Sequence, residues 1–236
     1  MYFQVLYVVT TCFRKGLIKL VEYRSLVCLW EKYDQTPEGE LKRDWDTKYK
    51  NSIASGIWSD PVSHIKEKVD FLKVFGCRVD GKTAIPDITE HSLSFSNLLQ
   101  GISTLNLLTV NRKDSEKIEQ LYGLLAKVNG LGPTGASLYL HMHKPNLFVM
   151  WDKEIFLDYF PVKIYSKATA TSEKYAKFLL RMKSEMQEAL LTFSASENIT
   201  ETQVIIEFRS HFNNETLPRI LDKYNHATKN KKKFEE

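Results

Sequence analysis

The chain has 236 residues, 43% apolar and 26% charged, an ordinary globular composition with enough apolar content to bury the core of one large domain or two small ones. Lysine and arginine number 33 against 29 aspartates and glutamates, giving a formal charge of +4 and a pI near 8.8, which permits an anionic partner without requiring one. The three cysteines, Cys12, Cys28 and Cys77, form no CxxC pair or Cys/His cluster, which argues against zinc or iron–sulfur chemistry; they read as reduced, mostly buried thiols of an intracellular protein.

The N-terminal run MYFQVLYVVTTCF is apolar until Arg14 and Lys15. It has no basic region before it and no small-residue cleavage site, and it is shorter than the roughly 20 residues of a membrane span. A buried helix or strand of a protein without membrane attachment is expected. From Leu17 to Tyr33, apolar residues at 17, 20, 21 and 28 follow a helical period. The segment from Asp34 to Asp60 is polar, carries Pro37, Gly39 and Gly56, and isolates Trp45 and Trp58 among charges, as a long loop or a short helix flanked by loops would.

Ser63 to Phe75 has apolar residues at 65, 69, 72 and 75 and stops at Gly76, the pattern of a helix with a glycine C-cap. Asp80-Gly81 and Pro86 mark turns, and Leu93 to Leu108 is helical in tendency. The clearest helix follows, capped by Asp114 or Ser115, with Ile118, Leu121, Tyr122, Leu125 and Val128 on one face. Further helices are expected at 154–160, 172–192, 203–212 and 217–224. The organisation reads as a single all-α unit over residues 1–228, with a charged tail at 229–236 whose KNKKK run could add salt-sensitive affinity for DNA.

Within this array, GLGPTGASLYLHMHKPNLFVMWD, Gly130 to Asp152, carries the functional expectation. Gly130-Leu131-Gly132 makes a tight turn between two helices, with Leu131 pointing into the hairpin. Pro133 suits the first position of the second helix, Thr134 to His143. The free amides at that helix's start, beside a turn without side chains, form a surface that holds a phosphate without reading sequence. From Gly132 to Asp152 is 20 residues, enough for a three-turn helix leaving the turn and a loop returning beside it.

The hairpin, about 114–143, with its aspartate loop at 144–152, resembles the helix-hairpin-helix base-excision DNA glycosylase (HhH-GPD) superfamily over Ile118 to Ile155. The resemblance implies a two-lobed all-helical fold that binds the DNA backbone through Gly130, Leu131, Gly132, Thr134 and Gly135. It implies that Asp152 stabilises the sugar cation or orients the attacking water as an extruded base leaves. Bifunctional members have a lysine two residues after the second glycine; here that residue is Thr134, so hydrolysis without strand cleavage is implied. No cysteine follows Cys77, so the branches with an iron–sulfur cluster are excluded and no cofactor is expected. An extruded base needs an aromatic or apolar slot, for which Trp45, Trp58, Tyr139 and Trp151 are candidates.

Simpler roles stand beside these. Asp152 can serve as the N-cap of the next helix, and Trp151 as core. His141 and His143, two apart on a helix, face different ways and do not make a metal site. The alternatives to a monomeric intracellular glycosylase, cytoplasmic, nucleoid-associated or nuclear, are a non-catalytic hairpin module on DNA and a helical protein-interaction domain.

Overall fold

The computed structural model describes residues 23–35 and 38–234, and among the described residues it contains ten α-helices and no strand. The all-α expectation therefore holds. The apolar N-terminal run and Cys12 lie outside the described residues. Helix α1 spans Tyr23–Gln35, α2 Glu38–Ala54, α3 Ile65–Val74 and α4 Gly81–Gln100. A 3-10 turn at Arg112–Asp114 leads into α5, Ser115–Lys127, and the hairpin is completed by α6, Gly132–His143. Then come α7 at Lys153–Tyr159, α8 at Ser172–Glu197, α9 at Glu201–Ser210 and α10 at Leu217–Phe234.

The helices read from apolar periodicity are present among the described residues, except that the one read over Leu93 to Leu108 stops at Gln100 and the start of the one read from Leu17 lies outside the described residues; three further segments differ. Glu38–Ala54 is a full 17-residue helix, longer than the long loop or short flanked helix expected there. Its inward side is polar: Tyr49 and Ser52 are buried, and Trp58 Nε1 donates to Ser52 Oγ at 2.7 Å. Hydrogen bonds rather than an apolar stripe hold it, so it has no hydrophobic period to detect. Asp80-Gly81 starts a helix instead of turning the chain, because the Asp80 carboxylate accepts the Lys82 amide at 3.0 Å as an N-cap. Pro86 is retained inside α4, where burial of Ala84, Ile88, Phe95 and Leu99 compensates for the lost amide. The third is the expected tail, most of whose backbone continues α10 to Phe234.

Helix α3 packs on α4 and α6, α4 and α6 both pack on α5, and α8 receives α1, α9 and α10. The joint between α5 and α8 links these sets, while α7 touches α10. An aromatic stack fills that joint: Tyr122 and Tyr175 lie face to face at 4.4 Å, with the Trp151 ring edge-on to Tyr122 at 5.6 Å. Such pairs add about 0.5–1.5 kcal/mol each beyond area burial. The stack also takes polar work, since Trp151 Nε1 donates to Tyr122 Oη (3.2 Å) and Tyr175 Oη donates to the Val149 carbonyl (3.0 Å). The loop approaching residue 152 is thereby fastened into the core. Among the described residues, no helix is long and apolar enough to cross a membrane.

Candidate functional site

The two hairpin glycines do different things. Both have positive φ, 76° at Gly130 and 69° at Gly132, a region where a side chain is strained. At Gly130 a Cβ would also collide with Thr83 Oγ1 at 2.6 Å and with the Asp80 carbonyl oxygen at 2.9 Å. This glycine lets the turn dock on the start of α4, where the Asp80 amide donates to the Gly130 carbonyl (3.1 Å) and Asp87 accepts from the Asn129 amide (3.0 Å). At Gly132 a Cβ would meet nothing within 4 Å. The open side of the turn is therefore Gly132 to Thr134. Leu131 points into the core as expected and fills the space beside buried Gly135. Helix geometry leaves the Gly132 and Thr134 amides without intrahelical acceptors, and no side chain caps this end of α6.

A single hydroxyl fixes the distance from hairpin to aspartate. Ser137 Oγ donates towards the Trp151 carbonyl (3.0 Å) and accepts the Trp151 amide (3.2 Å), so both backbone groups of that residue rest on α6. Below it, His141 Nδ1 lies 2.6 Å from the Phe148 carbonyl. A carbonyl only accepts, so Nδ1 carries the hydrogen and Nε2 takes the Tyr49 hydroxyl proton at 2.8 Å. Burial pushes the His141 ring down to about 4, keeping it neutral.

Asp152 then has two tasks, one per oxygen. Its Oδ1 accepts the Ile155 amide at 2.7 Å, making it the N-cap of α7. Its Oδ2 lies 3.7 Å from His226 Nδ1. The carboxylate is on the wall of a cavity of about 270 Å³, close to the lower bound for small-molecule sites. Thr134, Ser137 and Leu138 of α6 line one side, and Trp45, Phe75 and Met150 supply apolar walls. Trp45 stacks on Phe75 with ring centres 6.0 Å apart and planes 28° apart, and it is 38% exposed. Thr134 shares a 3.0 Å hydrogen bond with Tyr165, whose phenol burial holds protonated, with the Asp152 charge acting the same way.

Of the four slot candidates, Trp45 and Trp151 border this cavity, Trp151 from inside the core with 1% of its surface exposed. Trp58 and Tyr139 do not. They pack edge to face at 5.5 Å in a buried cluster with Phe95 and His143. The reason is helical phase: Thr134, Ser137 and Leu138 share a face of α6, and Tyr139, two residues beyond Ser137, lies off it. His143 joins that cluster, and burial and the charge of Lys68 push it down to about 3. Among the described residues no group of histidines, cysteines and carboxylates could hold a metal. Cys28 is exposed, whereas Cys77 is buried at the cavity edge and burial pushes its thiol up to about 12.

The floor comes from α10, which sequence reasoning had left without a role. Arg219, Asp222 and His226 all line the cavity. Arg219 is 3% exposed and bridges Asp222 Oδ2 and Asp46 Oδ1, the latter at 2.6 Å; Lys223 Nζ holds Asp46 Oδ2 at 2.6 Å. Burial alone would raise the Asp46 carboxyl, but Arg219 and Lys223 together outweigh it and hold Asp46 below the ordinary aspartate range. The signal was available as a polar stripe, Arg219, Asp222, Lys223 and His226, at the spacing of one helix face. Comparison of the chain with protein-family models, with characterised proteins and with solved structures finds no match.

Proposed function

We propose that the chain is a DNA glycosylase-like hydrolase of the helix-hairpin-helix type that cleaves the N-glycosidic bond of an extruded base, with Asp152 as its essential carboxylate. The observation that carries this reading is the meeting, around one cavity, of Asp152, of Thr134 at the start of the second hairpin helix, and of the Trp45–Phe75 stack. Base-excision chemistry asks for these three things together: a grip on the backbone, a carboxylate near the sugar and an aromatic slot for the base. The superfamily's two-lobed fold is part of the proposal, supported by the cavity's position where α6 meets α2 and α10. Thr134 supplies no amine, so the reaction ends at the abasic site.

The test is incubation with duplexes containing uracil, a thymine mismatch, an alkylpurine or oxidised guanine, followed by hot alkali to break abasic sites. Wild-type protein is expected to cut at one of these lesions only after alkali, with no complex trapped by borohydride. Asp152→Asn is expected to lose roughly 100-fold or more in rate. Excision unchanged in Asp152→Asn removes that residue from the chemistry, and a borohydride-trapped complex contradicts the role given to Thr134. A second reading, a hairpin module that holds DNA without chemistry, is favoured by one observation: Asp152 already serves as the N-cap of α7, a role that needs no catalysis. Salt-sensitive binding with no excision on any duplex selects it.

A further inference from the structure

We propose that Asp222 and His226 form a working dyad, in which Asp222 holds the proton on His226 Nε2 so that Nδ1 acts as base on the water that Asp152 orients. This rests on the glycosylase reading and gives it a second catalytic residue.

Asp222 is a buried carboxylate of which one oxygen lacks a donor among the described residues. Asp222 is 1% exposed. Its Oδ2 is held by Arg219, but its Oδ1 has no hydrogen-bond partner among the described residues. A buried carboxylate oxygen requires a donor. The group beside it is His226 Nε2 at 3.6 Å, one turn further along α10, a gap that a small ring rotation closes. The other ring nitrogen, Nδ1, lies on the Asp152 side, 3.7 Å from Oδ2.

Which nitrogen keeps the proton follows from the two carboxylates' needs. Asp152 already takes the Ile155 amide through Oδ1, and its side chain is 29% exposed to solvent. Asp222 Oδ1 is sealed from solvent and so exerts the stronger claim. The charged groups around the ring are Asp152 from the start of α7 and Asp222 and Arg219 from α10, with Asp46 of α2 and Lys223 of α10 behind them in the same ion-pair network. Arg219, paired with two carboxylates, is a cation that can only donate, so the imidazole is the nitrogen base beside Asp152 in the cavity. The 40% exposure of the His226 side chain lets water reach Nδ1.

The step balances as follows. A water bound between Asp152 Oδ2 and His226 Nδ1 gives one proton to Nδ1 as its oxygen bonds to the anomeric carbon. The bond from that carbon to the base nitrogen breaks, and its electron pair leaves with the base. The base takes up a proton from the imidazolium or from solvent, and His226 returns to its neutral form. Asp222 touches no reacting atom and is a positioning residue.

The experiment has two arms on the full chain. In the first, nitrogen NMR of labelled imidazole, with His226 assigned by its absence in His226→Gln, reads the neutral tautomer. The hydrogen is expected on Nε2 in the wild type and to lose that preference in Asp222→Asn; a neutral ring protonated on Nδ1, or indifference to Asp222→Asn, overturns the dyad. In the second, abasic-site formation is followed against pH on a duplex that the wild type cleaves. His226→Gln is expected to fall by roughly 100-fold, flattening the acid limb of the profile, with DNA binding retained. His226→Ala is expected to recover part of its rate when imidazole is added. A rate within about threefold of wild type in His226→Gln, or a folded His226→Ala that imidazole does not rescue, overturns the role as base. Wild-type protein that excises nothing ends the glycosylase reading and the water-activating role with it, while the NMR arm still decides whether the Asp222–His226 pair exists.

Discussion

At the scale of single residues, Asp152 allows capping and chemistry to be pulled apart. Asparagine caps a helix about as well as aspartate, so Asp152→Asn is expected to change stability by less than about 1 kcal/mol in urea unfolding while slowing excision by roughly 100-fold or more. If it instead unfolds the protein, the carboxylate was holding the α7 entry in a way that the Ile155 contact does not account for. The glycines give a second contrast. Gly130→Ala is expected to destabilise by a few kcal/mol, because a strained φ is joined to a collision with the Asp80 backbone; Gly132→Ala carries the φ strain of roughly 1–2 kcal/mol alone. Equal melting losses for the two would contradict the asymmetry. Only Gly132, with Thr134, therefore probes the hairpin's grip on DNA without also breaking the fold. Asp152 and Thr134 were legible in the sequence because a turn, a three-turn helix and a returning loop have nearly fixed lengths. The Ser137 clamp was not, since one serine on a buried helix looks like any other small residue until its partner is known.

At the scale of elements, α2 and α10 were the least legible, for related physical reasons. Helix α2 is held on its inner side by hydrogen bonds, while α10 adds an ion-pair network to a buried apolar face of Leu217, Ile220, Leu221 and Tyr224, so apolar periodicity misses the first and shows only part of the second. A helix such as α10, with Arg219, Asp222, Lys223 and Asn225 all buried, is stable only where its charges are paired; Arg219 holds Asp222 within the helix, but Arg219 and Lys223 also need a partner from another element. Asp46 of α2 is that partner for Arg219 and Lys223. Arg219→Ala leaves buried Asp222 and half-buried Asp46 without it, and a loss on the order of 3–5 kcal/mol in urea unfolding is expected. A loss under about 1 kcal/mol would show that water reaches these carboxylates after all. Asn225 ties α10 to α7 as well, its Oδ1 lying 3.2 Å from the Tyr159 hydroxyl, which donates to buried Glu185 at 2.9 Å. Through these bonds α10 is tied directly to the helix that Asp152 begins.

At the scale of the whole molecule, two bulk properties follow. The first is acid sensitivity with a defined window. His141 and His143 have folded values near 4 and 3, below the unfolded value of about 6.5. A depressed value means that the unfolded chain binds the proton first. Their contribution is complete above about pH 6.5 and is lost as pH falls towards the folded values, with His141 alone accounting for on the order of 3 kcal/mol. Asp46, also depressed, adds a further loss below the ordinary aspartate value of about 3.9. Urea midpoints are expected to fall steadily between pH 6.5 and pH 4; a flat profile there means that the two rings are not buried neutral. The second is the electrostatics of DNA binding. A net charge of +4 is modest, and Asp80 and Asp87 crowd the far side of the turn. Binding is expected to be sequence-independent and to weaken steeply between about 50 and 200 mM salt; anisotropy that does not change across that range would remove the backbone contact.

The helix that floors the cavity also sets a schedule. Its residues are separated by 65 or more positions from every other group in the cavity, so chain order delays the site well beyond the hairpin and Asp152. A ribosome adds about 5–20 residues per second, and non-local contacts wait for both partners to emerge. A nascent chain that has already made the turn and its aspartate still lacks Arg219, Asp222 and His226. The cavity is complete only once α10 docks, so under the function proposed above the growing chain carries the turn and its aspartate for several seconds before the groups that complete the site.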